Sequence, residues 1–234
     1  MKSSDKRILT THGGSLSRPA DLIAISRAGA AGESNGEAYK RCLAASVAGV
    51  VRKQRELGID IPDDGEFGKA VAGSYDYGAW WNYAFARMSG FSSAGADAKR
   101  RHEKSSVADV ALTAYANRRD WQKFAAFYQD PESSGSLLGS AARRPVQRPA
   151  CTGPIEYAGH AALHADIANL KNALAATGTA EGFMCSIGPG SFARGDDFYY
   201  QTEEEFLFAA AAAMREEYKA CLLYTSDAAD DLTR

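Results

Sequence analysis

The sequence predicts an α/β chain of strand–helix units: an incomplete (β/α)8 barrel of the TIM family, with about four βα units and an inserted lobe. Three observations predict it. Four short apolar or β-branched runs each end in Gly, Ser, Asp or Pro: Ile8 to Ser15, Gly58 to Glu66, Val146 to Pro154 and Gly182 to Gly190. Three of them lead towards a long helical segment, as in βαβ units. The rhythm then stops, about halfway to the eight strands that close a barrel. In such a fold the loops after the strands carry the chemistry, so the residues at these run ends are the first candidates for a site.

The elements follow in order. Ile8 to Thr11 opens as a strand and breaks at His12-Gly13-Gly14-Ser15. Glu37 to Leu57 is an amphipathic helix, with Tyr39, Leu43, Val47, Val50 and Leu57 on one face and Lys40, Arg41, Arg52 and Lys53 between them. Gly58 is placed to end it as a C′ residue, and Ile59 to Ile61 follows as a strand. Tyr75 to Met88 reads as an aromatic helix containing Trp80 and Trp81. The alternation breaks over residues 89–148, which hold the charge run Lys99 to Lys104, an aromatic helix near Asp120 to Tyr128 and the Ser133 to Gly139 loop. We read this stretch as an inserted lobe beside the strand ends, where loops grow most freely. His160 to Ala176 is a helix with Leu163, Ile167, Leu170 and Leu174 as its stripe, closed by Gly178. Thr202 to Lys219 is the last helix; Thr202 and Glu205 form a capping box, and Glu203 and Glu204 suit the positive dipole end. After Ala220 no strand follows. Residues 221–234 become polar and aperiodic, and read as a non-native or disordered tail resembling adapter read-through, as at the end of a truncated reading frame. The domain proper is then residues 1–220.

Bulk properties narrow the partners. The 234 residues carry a formal net charge of −2, so no basic field invites nucleic acid. No apolar run approaches the roughly 20 residues that span a bilayer. Cys42, Cys151, Cys185 and Cys221 are widely spaced, with no C-x-x-C pair, so a disulfide framework is not expected and a cytoplasmic setting is. Cys42 falls on the apolar helix face and reads as core.

Several side chains carry competing readings. His12, at the mouth of the first strand, is either a substrate-facing group or a histidine that fixes the turn. Asp63, Asp64 and Glu66 crowd three carboxylates into four positions, a set that could take Mg²⁺ or serve other roles at a strand end. His160 and His164 lie four apart, a zinc-compatible spacing, but Ala161 follows His160 and the helix belongs to the outer ring; a solvated face is the alternative. Gly188-Pro189-Gly190 is either a phosphate-binding turn or a shaped pocket wall. Tyr75, Tyr77, Trp80 and Trp81 are either a stacking shelf or packed core.

Taken together, Thr10 to Pro19, Asp64-Gly65-Glu66, Thr152-Gly153-Pro154, Ser186 to Gly190 and the helix text Asp166 to Lys171 resemble the cobalamin-independent methionine synthase superfamily, and most its short single-barrel members. The resemblance covers about residues 7–220, and Ser17 stands where proline is common. It implies a zinc-dependent methyltransferase of methionine biosynthesis. A thiol, homocysteine, is alkylated by a methyl donor such as polyglutamylated methyltetrahydrofolate. Alternatives on the same scaffold are alkyl transfer to coenzyme M, a metal-dependent lyase, or an inactive fragment. By the resemblance, Gly13, Gly14 and Ser15 hold the amino-acid substrate and Glu66 grips its ammonium, with His12 and Asp64 beside them. No catalytic residue is assigned. The family's zinc ligands, a His-x-Cys segment, a Glu and a distant Cys, come from later strands and have no counterpart here. This chain is therefore expected to bind no stoichiometric zinc and to be inactive alone.

Overall fold

The computed structural model describes residues 3–30, 36–69, 79–93, 119–126, 149–192 and 196–225. The expected sites at Tyr75 and Tyr77, the charge run 99–104 and the loop 133–139 lie outside the described residues, as do the side chains of Trp80 and Trp81. The described residues form a mixed α/β structure that is mostly helical. Its helices are α1 (Ala20–Ala30), α2 (Gly36–Glu56), α3 (Ala79–Ala86), α4 (Arg119–Lys123), α5 (His160–Ala176), α6 (Pro189–Phe192) and α7 (Glu203–Thr225). Its strands are β1 (Phe91–Ser93), β2 (Pro149–Cys151) and β3 (Asp196–Asp197).

Helix α2 forms where its apolar spacing predicts, with Leu43, Val47 and Val51 buried and Cys42 packed against them. Its C-terminus is a Schellman turn: the Ile59 amide donates to Gln54 O at 3.0 Å and the Gly58 amide to Arg55 O at 3.0 Å. Gly58 takes φ +85°, which a Cβ would disfavour. Leu57 departs from the expected stripe and is exposed. A straight helix drifts about 20° per heptad, and here Val51 and Gln54 take over the buried face. Gln54 is satisfied there by both backbone groups of Asp63: its amide donates to Asp63 O at 2.8 Å and its Oε1 accepts from Asp63 N at 3.0 Å. This pair docks the second extended run on α2.

The first, second and fourth runs lie side by side. Thr11 bridges Ile61 in parallel, and Asp63 bridges Phe183 in parallel. The third run is placed differently from the expected succession. Its strand β2 pairs antiparallel with β1 and parallel with β3 in a separate three-stranded sheet. The reason is the excursion between them. Residues 88–93 and 149–157 run antiparallel, through Phe91↔Cys151, Ser93↔Pro149 and the bridge Met88↔Tyr157. The third run is thus the returning arm of the excursion.

Helix α5 has the expected bounds, with Leu163, Ile167 and Leu170 buried. It packs against α2 on one side and α7 on the other. At the start of α7, Thr202 Oγ1 accepts from the Glu205 amide at 3.1 Å, while Glu205 accepts from Gln201 N rather than Thr202 N. The helix does not stop at Ala220 but runs to Thr225, since Cys221 to Tyr224 contain no Gly or Pro to break it. The core of the described residues divides into a cluster joining α1, α2, Phe67 and α5, a second joining Tyr83, Phe85, Met88, Ile187, Phe192 and the inner face of α7, and a small third of Leu163, Ile167 and Ala220 between α5 and α7. Among the described residues no helix is long and apolar enough to cross a membrane.

Candidate functional site

The loop after the first run and the loop after the second are fastened to each other. Leu16 N donates to Gly65 O at 3.1 Å, and the Arg18 guanidinium donates to Glu66 O at 2.6 Å and Lys69 O at 3.2 Å. Within the second loop, each aspartate accepts from an amide two residues on. Asp63 Oδ1 takes Gly65 N at 3.0 Å, and Asp64 Oδ1 takes Glu66 N at 2.9 Å. The chain then passes through two successive left-handed residues, Gly65 at φ +68° and Glu66 at φ +57°. Left-handed backbone is uncommon for a residue other than glycine, and such outliers gather at functional sites.

This turn delivers the Glu66 carboxylate to Ser15. Ser15 Oγ donates to Glu66 Oε2 at 2.7 Å, and Lys69 Nζ stands 3.5 Å from Glu66 Oε1. The fourth run closes the ring: the Gly14 amide donates to Cys185 Sγ at 3.4 Å, and Lys69 Nζ donates to Cys185 O at 2.8 Å. Three loops from distant parts of the chain therefore meet around Glu66. Burial alone would raise the Glu66 carboxyl, but Ser15, Lys69 and the Cys185 thiol outweigh it and hold it below the usual range. Burial pushes the Cys185 thiol up, despite the Gly14 amide. Asp64 is raised to about 6, chiefly by burial, with nearby Asp166 adding to the shift. Asp63 is raised by burial too.

Of the expected substrate residues, Ser15 and Glu66 are thus in direct contact, and Gly14 joins them through Cys185. Gly13 adjoins them with open space where a Cβ would be. Asp64 is buried behind them and is spent on the turn. His12 Nε2 and Asp63 Oδ2 are buried without a partner. The Thr152-Gly153-Pro154 motif is elsewhere, with Thr152 Oγ1 2.9 Å from Ser92 Oγ beside the small sheet.

Behind the ring lies a buried polar network that the sequence reading missed. Tyr83 OH accepts from Ile187 N at 2.7 Å, and its ring lies under Lys69 Nζ at 4.6 Å. Glu217, on α7, accepts from Ser186 Oγ at 2.6 Å and Tyr157 OH at 2.9 Å. Arg87 pairs with Asp166 and lies 3.6 Å from Glu217. Burial would lower the Arg87 guanidinium, but these two carboxylates raise it. Lys69 had a signal in the sequence, as a cation three residues after Glu66. Glu217 had one too, since it continues the buried steps of Ala210, Ala213 and Met214.

Among the described residues no group of three or more His, Cys, Asp or Glu could hold a metal. Asp63 Oδ1 and Asp64 Oδ1 take turn amides, and Glu66 takes Ser15 and Lys69. That leaves Asp63 Oδ2 as the unpartnered oxygen of these contacts, and the Lys69 ammonium would repel a dication. His160 and His164 lie on the exposed face of α5, with the His160 ring edge-on to Tyr157. Zinc does not fit these residues. No protein-family model and no curated protein matches the chain.

Proposed function

We propose that these loops form the thiol-substrate cradle of an S-alkyltransferase, resembling the cobalamin-independent methionine synthases and built on their (β/α)8 barrel. The observation that carries the reading is the Ser15–Glu66 hydrogen bond, closed by Gly14 on Cys185. It joins motif residues about 50 and 170 positions apart in one small ring, and the strained Glu66 backbone lies at its centre.

In this reading Glu66 receives the ammonium of an amino-acid thiol such as homocysteine, in a charge-assisted hydrogen bond. Its ionised state suits that task. Ser15 orients the carboxylate, and the glycines leave room for the substrate backbone. The methyl donor, of the methyltetrahydrofolate kind, is the second small molecule. Zinc is not assigned to any residue of this cradle. The reading places the enzyme in the cytoplasm.

Calorimetric titration of L-homocysteine into the 234-residue chain tests the proposal. Glu66→Gln should weaken binding about tenfold or more, a loss of roughly 1.4 kcal/mol. Binding of 4-mercaptobutyrate, the same thiol without its amine, should not weaken. Equal homocysteine affinity in the two proteins would falsify the role of Glu66.

A further inference from the structure

Lys69 is nearly inaccessible, and its ammonium sits in a cage with three kinds of wall. The Glu66 carboxylate is 3.5 Å away, the Cys185 carbonyl 2.8 Å, and the Tyr83 ring face 4.6 Å from its centroid. A carboxylate, a carbonyl and an aromatic face are the groups that together hold a primary ammonium. Each wall is also held by something other than Lys69. Ser15 holds Glu66, the Gly14 amide holds Cys185, and Ile187 N holds the Tyr83 hydroxyl. Each of the three residues therefore has a second tie besides Lys69, which for Cys185 is at its thiol.

We propose that this cage is an ammonium-binding subsite and that Lys69 is its built-in occupant, so that Lys69 decides which substrates are admitted. The proposal rests on the thiol reading above and narrows it. A substrate amine that approaches Glu66 Oε1 and the Cys185 carbonyl meets the Lys69 ammonium, a like charge that already faces both acceptors, and binds there at the cost of pushing it aside. The flexible four-carbon stem of lysine allows such a withdrawal. A thiol that carries no amine makes no such demand. Lys69 thus acts as a specificity-determining residue: an amino-acid thiol binds Glu66 at the cost of moving it, and an amine-free thiol does not bear that cost.

The test is calorimetric binding of L-homocysteine and of 4-mercaptobutyrate to the whole chain, as wild type and as Lys69→Met. The methionine keeps an aliphatic stem and vacates the cage. L-Homocysteine should bind Lys69→Met about tenfold more tightly than wild type, and 4-mercaptobutyrate should gain nothing. Equal or weaker homocysteine binding by Lys69→Met overturns the proposal and leaves the thiol reading standing. Binding of 4-mercaptobutyrate alone, by both proteins, also overturns it. Absence of binding by either thiol to either protein removes the thiol reading and the proposal together. Should Lys69→Met not fold by circular dichroism, ¹⁵N-lysine labelling of the wild type answers the question. Saturating L-homocysteine should shift the Lys69 Nζ signal and 4-mercaptobutyrate should not. A Lys69 signal that stays in place with homocysteine bound sinks the idea.

Discussion

Asp64 shows how a single side chain can hold the site's geometry at a cost to stability. Its Oδ1 fixes the Glu66 amide, yet the carboxyl is buried and titrates near pH 6 rather than at its usual 3.8. The folded state therefore binds the proton more tightly than the unfolded chain does. Below pH 4 both states are protonated. Between 4 and 6 stability falls as pH rises, and above 6 the full cost of the buried carboxylate is present, on the order of 2–3 kcal/mol. Asp64→Asn keeps an oxygen for the Glu66 amide and removes the charge. Urea denaturation should show the variant more stable than wild type at pH 8, with the advantage fading towards pH 4. An advantage independent of pH would argue against this account. At this scale the sequence was partly legible. Gly14, Ser15 and Glu66 were marked by motif, and they meet. Lys69, Tyr83 and Cys185 went unassigned, because their roles arise from loops that meet only in three dimensions.

The elements constrain one another most tightly at the Asp63–Lys69 turn. Helix α5 presses Asp166 onto it: a Cβ on Gly68 would lie 1.8 Å from Asp166 Oδ1. Asp166 is the partner of Arg87, so the turn, α5 and the end of α3 share one buried contact. Gly68→Ala should break that ion pair and destabilise the protein by about 3 kcal/mol, in the range for uncoupling a buried charge. Thermal or urea melts of Gly68→Ala, Asp166→Ala and the double variant would check it. The double should lose clearly less than the sum of the singles, and strict additivity would refute the coupling. Helices α2, α5 and α7 were legible because spacing of 3.6 residues and terminal glycines are local signals. The placement of the third run was not. Its sequence reads as a strand in any sheet, and only pairing with Phe91 to Ser93 decides which.

Across the whole molecule, the described residues gather into two larger apolar clusters, one on α2 and α5 that takes in Phe67 of the turn and the other on α7, with a small third between α5 and α7. The polar groups of Glu66, Lys69, Tyr83 and Glu217 tie the parallel runs to the last helix. The alternation of strands and helices announced a mixed α/β chain, and that is what the described residues form. The small sheet is the surprise, and it brings the two ends of residues 94–148 together. Ser93 and Pro149 are paired across antiparallel strands, so the chain leaves and re-enters at neighbouring points. Facing residues in such a pair lie only about 5 Å apart, a gap that an Asn-Gly turn spans. Replacing residues 94–148 by Asn-Gly should leave a chain that still folds, with the amide NMR signals of α2, α5 and α7 nearly unmoved. Collapse of those signals would mean that the lobe is part of the foundation. If they survive, segments of other sizes could be exchanged at the same doorway without rebuilding the helices that hold the turn.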